Sequence, residues 1–432
     1  MKNKSSIFVV VVSIIMIAAV CVAAFVKSSD KTVVNTSSES VVDEKGNNKE
    51  KNKKFKETTV TIGNVGDILL HMPINRSCYN EQTKTYDFND IFKYVNKYYK
   101  KYDCMVADLE EPVAGKKFGY SGFPLFNGPE QIVDALQNNG VDLLLTANNH
   151  CFDQGKEGFL NTMNTLDEKG AKFIGTRQEN SKPYIIMDLK GIKVGMINYT
   201  YETQPLSDTK YINGIPMDKS VSDLLNSFDY NKLDAFYSDF QAKMDNMYKD
   251  GAEVIVAYMH WGEEYNLGHT DYQQRIAQKL CDMGVDAIVG GHTHCIEPTD
   301  LITSSVSNKQ TPIIYSTGNQ LSNQRKETLD KFSSATPYFE DGVIYELSFS
   351  RKADGSVVLS NVSYTATWCN LFGSVYRIVP LDEKGDYKTD CASLGRLEEM
   401  SNSLKRTKGL LDEGVKKYKD EYKQIDLRKK AS

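Results

Sequence analysis

From Thr59 onward, short β-rich runs alternate with helical stretches, and this alternation most constrains what the chain can fold into. The runs 59–65, 105–107, 141–146, 172–175, 184–189, 193–200, 253–259, 286–290 and 311–317 read as strands, rich in Val, Ile and aromatic residues. Helices are expected at 130–139, 158–169, 236–250 and 271–283, with Gly170 a C-cap. Residues 342–350 and 357–363 read as antiparallel strands, and 205–235 is turn-rich without a clear pattern. Strands and helices alternating over about 250 residues imply an α/β domain.

The polar motifs fall at the ends of these runs: Gly66-Asp67, Asp108-Leu109-Glu110, Asn148-Asn149-His150, His260-Trp261-Gly262, Gly291-His292-Thr293-His294 and Gly318-Asn319. In an open α/β sheet, ligands bind beyond the carboxyl ends of the strands, so six such clusters would converge on one site. The chain has 6 His, at 71, 150, 260, 269, 292 and 294, and four of them stand in these motifs. His with Asp, Glu and Asn is a donor set for a hard or borderline divalent metal. Two ions about 3.5–4 Å apart could bind a phosphoryl or acyl oxygen and acidify a bridging water. Taken singly, each motif has a plainer role. Asp67 could cap a helix, Glu110 could form an ion pair, Asn149-His150 could be a turn, and His260 could pack beside Trp261. The His292–His294 pair is the most specific signal. His71 and His269 read as surface or ligand-supporting residues, and Cys151 and Cys295 as small packing residues.

The ends differ from the middle. Residues 7–26 are uncharged and apolar, long enough as a helix to cross a hydrocarbon core of about 30 Å. Lys2 and Lys4 precede them, which places residues 1–6 in the cytoplasm and the rest of the chain outside. The run exceeds the usual h-region of a cleaved leader, so a retained anchor is expected, with cleavage near Val22-Ala23-Ala24 the alternative. Residues 27–57 read as a flexible linker, 58–380 as the folded domain, and 381–432 as a charged, partly helical tail with apolar residues at Leu404, Leu411, Val415, Tyr418 and Tyr422. The whole-chain charge of -5 understates how acidic the middle is, because both ends are basic. That balance argues against a nucleic-acid partner, which needs clustered Lys and Arg. Of 8 Cys none forms a CxxC pair, and the spacing selects no disulfide.

In order and wording the motifs VGDILLH (65–71), ADLEEPV (107–113), TANNHCFDQG (146–155), HWGEEY (260–265), VGGHTHCIEP (289–298) and PIIYSTGNQ (312–320) resemble the CapA/PgsA proteins of poly-γ-glutamate capsule synthesis, within the calcineurin-like metallophosphatase superfamily. The resemblance implies a four-layer α/β/β/α sandwich held outside the cell by an N-terminal transmembrane helix. It implies Asp67, Glu110, Asn149, His260, His292 and His294 as metal ligands, and His150 as the proton donor. Asp153 and Glu264 would orient the ligands. The cofactor would be one or two divalent ions, Mn, Zn or Fe. The partners would be a capsule or cell-envelope polymer and a membrane synthase or export complex. A non-catalytic polymer-binding scaffold and a general envelope phosphoesterase are the other readings. Two departures stand out. The superfamily's opening Asp-x-His is here Asp67-Ile68-Leu69, with the nearest imidazole at His71, and Asp108 stands where Asn is common.

Overall fold

The computed structural model describes residues 54–203, 208–329, 337–382 and 387–423, together with a short antiparallel pair, Val41–Val42 with Asn48–Lys49, in a separate unit. The candidate anchor at 7–26 lies outside the described residues. Among the described residues no helix is long and apolar enough to cross a membrane.

Two sheets form the centre. The first contains β1 (Thr58–Ile68), β2 (Cys104–Leu109), β3 (Leu143–Leu145) and β4 (Phe173–Ile174), all mutually parallel. The second contains β5 (Ile185–Leu189), β6 (Ile192–Tyr201), β7 (Ser227–Phe228), β8 (Val254–His260), β9 (Ala287–Gly291), β10 (Thr299–Thr303) and β11 (Gln310–Ile314). Its order is β7-β6-β8-β9-β11-β10, with β5 on β6. β12 (Asn319–Leu321) returns to the first sheet and pairs parallel with β1, placing Asn319 opposite Asp67. β13 (Asp341–Arg351), β14 (Val357–Phe372) and β15 (Val375–Pro380) extend that sheet as an antiparallel meander, giving the order β15-β14-β13-β1-β2-β3-β4.

Period-two alternation sorts the side chains into layers. On β8, Val254, Val256 and Tyr258 face the other sheet, while Ile255, Ala257 and Met259 face outward. On β2, Cys104 and Val106 face inward, and Met105, Ala107 and Leu109 outward. The inward residues of both sheets form one apolar core. Helices α1 (Gln131–Asn138) and α2 (Gly155–Glu168) cover the outside of the first sheet through Ile132, Val133, Leu136 and Leu166. Helices α3 (Leu233–Lys249) and α4 (Asp271–Met283) cover the second through Phe236, Phe240, Ile276 and Leu280. The layers are therefore α/β/β/α, as expected. The α4 boundaries are locally encoded: Thr270 and Gln273 form a capping box, and Gly284 ends the helix at φ 101°.

The expected tail behaves differently. Its helix, α5 (Leu397–Glu421), packs on β10 and β14. Leu411 and Tyr418 join the core between the sheets, and at Gly414 the backbones approach so closely that a Cβ would lie 1.9 Å from the Thr299 carbonyl oxygen. The apolar spacing was legible, but α5 closes the sandwich instead of projecting from it. Leu411→Ala is expected to cost about 2–5 kcal/mol, as for a buried leucine. Exposed Glu413→Ala is expected to stay within about 0.5 kcal/mol. Urea unfolding followed by the fluorescence of buried Trp261 and Trp368 measures both.

Candidate metal centre

The inward phase of each strand continues past its last apolar residue into the site. On β2 the series Cys104, Val106 becomes Asp108 and then Glu110. On β8 the series Val254, Val256, Tyr258 becomes His260. On β1 the phase has to be reset, because Asp67 would otherwise face outward. A β-bulge does this: Val65 pairs with Ala107 and Asp67 with Asp108, leaving Gly66 unpaired. Only glycine fits at 66, since a Cβ would stand 1.8 Å from the Gly318 oxygen. On β9, Ala287 and Val289 face inward, and so does Gly291, whose Cβ would stand 3.0 Å from Asp67 Oδ1 and 3.6 Å from Asp108 Oδ2. Its bare Cα leaves that space to the cluster. His292 and His294 follow at φ 95° and 60°, left-handed conformations that bulky residues adopt only where the surroundings hold them.

Three overlapping groups of donors result, each with ligand atoms within 4.8 Å of one another: Glu110, His260 and His292; Asp67, Glu110 and His294; and Asp67, Asp108 and His260. All six residues are buried. His294 Nδ1 lies 3.3 Å from Asp67 Oδ2, 3.7 Å from Glu110 Oε2 and 3.1 Å from Asn319 Oδ1. His260 Nε2 lies 3.4 Å from Glu110 Oε1 and 2.8 Å from Asn149 Oδ1, while its Nδ1 meets Asp108 Oδ2 at 3.0 Å. His292 Nε2 contacts the Tyr201 hydroxyl at 3.1 Å. Asp67 Oδ2, both Glu110 oxygens and His292 Nδ1 have no hydrogen-bond partner. Buried polar atoms are rarely left unpaired, and a divalent cation in each of the two groups that share Glu110 would satisfy these. The donor chemistry, carboxylate and imidazole, fits such an ion.

The electrostatics agree. Burial, with Asp67 and Asp108 adding repulsion, pushes the Glu110 carboxyl well above its ordinary value. Burial also raises Asp108 to about 7 against the hydrogen bond from Asn148. Burial lowers His260 to about 3, and burial with the neighbouring imidazoles holds His292 well below the usual imidazole range. The protein thus holds His260 and His292 as neutral imidazoles, which are ligands, beside carboxylates without a Lys or Arg partner, whereas, against the effect of burial, contact with Asp67 raises His294.

The other expected site residues fall around this cluster. His150 Nδ1 lies 2.7 Å from Asp153 Oδ2, and the Phe126 ring packs against it edge-on at 4.7 Å. Asp153 also accepts from the Phe126 amide at 2.8 Å and from Asn213 Nδ2 at 2.7 Å. Asn149 joins the cluster through His260. Glu264 is exposed, and among the described residues it hydrogen-bonds none of the candidate ligands, though its charge bears on Glu110 and His260. Leu69, at the position of the superfamily's second ligand, is buried in the core. His71 does not replace it: its Nδ1 faces the Asn323 amide at 3.3 Å, and its ring packs on Phe126. His269 stacks on Tyr315. Cys151 and Cys295 are buried thiols, raised in pKa by burial, and the seven cysteines among the described residues are all free. Sequence reasoning left Asp108 out of the site, although its phase with Cys104 and Val106 was readable. Tyr201 carried no polar-motif signal, and Asn213 arrives from the turn-rich stretch, where nothing marked it.

Buried carboxylates and imidazoles at the carboxyl edge of two facing sheets define an α/β/β/α protein with a candidate divalent-metal centre. Within that class the chain belongs to the bacterial capsule synthesis protein family PGA_cap, whose model matches residues 61–324. It is 25% identical over 268 residues to the capsule biosynthesis protein CapA of Bacillus anthracis, covering 60% of this chain and 59% of that protein. It is 23% identical over 274 residues to the PGA biosynthesis protein CapA of Bacillus subtilis, covering 62% and 64%. The match thus spans less than two thirds of either relative's length. Among solved structures, Haemophilus influenzae NAD nucleotidase aligns over 85% of this chain and 68% of its own, with 16% identity and a TM-score of 0.44.

The pKa directions set a stability window. The depressed imidazoles leave the unfolded state binding more protons, so they contribute stability that is lost as pH falls below about 6.5. The raised carboxyls act oppositely: they stay protonated in the fold while ionised in the unfolded chain, and cost stability as pH rises above about 4. Above about 6.5 the carboxyl effect remains, joined by His294, which is raised against burial by its contact with Asp67, so that the stability its protonation contributes is also lost as pH rises. Chelator-treated protein is therefore expected to melt at progressively lower temperature from pH 6.5 to 8. Added Mn²⁺ or Zn²⁺ should raise the melting temperature most at the alkaline end, as thermal scans with and without metal would show.

Proposed function

We propose that this chain acts in the synthesis or export of a capsule or cell-envelope polymer, anchored by residues 7–26 with its folded domain outside the membrane. We further propose that its buried cluster holds one or two divalent ions for hydrolase-like chemistry on a phosphoester or amide bond. The observation that carries the chemical part is the set of partnerless acceptors, Asp67 Oδ2, both Glu110 oxygens and His292 Nδ1. The membership in a capsule synthesis family supports the biological part.

In this reading Asp67, Glu110 and His294 hold one ion, and Glu110, Asn149, His260 and His292 the other, with Glu110 shared. Bound ions would polarise a substrate oxygen and lower the pKa of a water. The Tyr201 hydroxyl oxygen, accepting from His292 Nε2–H, leaves the Nδ1 lone pair toward the cluster. With Asp153 accepting the Nδ1 proton of His150, Nε2 is the nitrogen that would take up a second proton and pass it to a leaving group. The acidic domain would repel an anionic polymer unless bound ions offset its charge locally. One observation favours a second reading, a polymer-binding scaffold: Leu69 leaves the first ion position a ligand short of the superfamily pattern.

Full-length protein purified in detergent should contain divalent metal by mass spectrometry and hydrolyse bis(p-nitrophenyl) phosphate. Glu110→Gln and His292→Ala should each lower metal content and abolish the hydrolysis. Polymer output in producing cells should fall in parallel. Metal content and output unchanged by both substitutions would sink the proposal, while metal binding and polymer output without hydrolysis would select the scaffold.

A further inference from the structure

The three donor groups cannot all be used, because His260 belongs to two of them through opposite ring nitrogens. In one, Nε2 faces Glu110 beside His292. In the other, Nδ1 would share an ion with Asp67 and Asp108. A neutral imidazole carries one proton, so the nitrogen that keeps a lone pair decides which group is real.

The hydrogen bonding of Asp108 decides it. Its Oδ1 accepts from Asn148 Nδ2 at 3.1 Å, and the same amide also donates to the Leu109 carbonyl at 2.8 Å. Its Oδ2 meets His260 Nδ1 at 3.0 Å. Oδ1 therefore has a donor, and Oδ2 gains one when the His260 proton sits on Nδ1; Asp108 is absent from the partnerless acceptors among the described residues, which include Asp67 Oδ2, both Glu110 oxygens and His292 Nδ1. Within the cluster, both Glu110 oxygens and His292 Nδ1 belong only to the two groups that share Glu110, while Asp67 belongs to one of these and to the Asp108 group as well. On its far side, His260 Nε2 faces two further acceptors, Asn149 Oδ1 and Glu110 Oε1. A proton on Nδ1 leaves three acceptors converging there, an arrangement that a cation between them resolves. Metal-binding histidines typically donate their other ring N–H to a carboxylate in this way.

We infer that Asp108 is a positioning residue and not a metal ligand: clamped by Asn148, it holds the proton on His260 Nδ1 and so aims Nε2 at the ion position formed with Glu110, Asn149 and His292. This rests on the metal-site reading above. It also accounts for Asp108 where Asn is common, since Asn presents only one acceptor oxygen and no charge to share between Asn148 and His260.

The test uses full-length protein and Co²⁺ or Zn²⁺ as the probe. Asp108→Asn, which keeps one acceptor oxygen and the side-chain shape, should retain the wild-type number of ions, with affinity weakened roughly 10–100-fold. With Co²⁺ bound, Asp108→Cys should show no thiolate-to-cobalt charge-transfer band in the near ultraviolet. Such a band, loss of an ion in Asp108→Asn, or unchanged affinity in Asp108→Asn would each overturn the assignment. A wild-type protein that binds no ion would instead remove the metal reading itself, and this role with it.

Discussion

Three carboxylates converge at the edge where the two sheets meet, and among the described residues no Lys or Arg pairs with them; the only ionisable groups within ion-pair distance are imidazoles. Concentrating acidic groups in a low-dielectric pocket is among the costliest things a fold can do. It is tolerated here because the surrounding parts are rigid. The strands deliver the groups from packed cores, the bulge at Gly66 turns Asp67 inward, and the glycine at 291 leaves open the space that a side chain there would fill. Cationic charge from outside the chain is the natural counterweight, and each part of the site can be understood as a device for holding that charge.

The layered architecture was legible because it depends on local patterning. Alternation along 253–259 and 286–290 marks buried strands, and the polar residue that breaks each run marks the rim. What was not legible depends on tertiary geometry. The sequence around Gly66 does not announce a bulge, and without it Asp67 would sit on the wrong face. The helix Leu397–Glu421 had the right period, but its own composition, heavily charged, could not say whether a partner covered its apolar stripe. β10 and β15 were missed because both are short, flanked by turns, and recruited by neighbours. Asn213 is held by contacts across 60 or more residues, beyond any local signal.

The departures from the superfamily pattern are consistent with one another. Leu69 is core, and His71 is occupied with Asn323 and Phe126, so in the proposed reading a first ion would rely on Asp67, Glu110 and His294. A second ion would be better supplied, with Glu110, Asn149, His260 and His292, and with Asp108 and Tyr201 behind two of those imidazoles, so the two proposed positions would be unequal.

The donors come from both halves of the sandwich: Asp67, Glu110 and Asn149 from the first sheet and the loops that follow it, His260, His292 and His294 from the second. An ion seated among them would act as a rivet through the two halves, so occupancy and mechanical cohesion would become one variable. Scavenging of trace metal by the surroundings would then loosen the molecule at its seam and open it to proteases, which couples the lifetime of the protein to the mineral supply of its compartment.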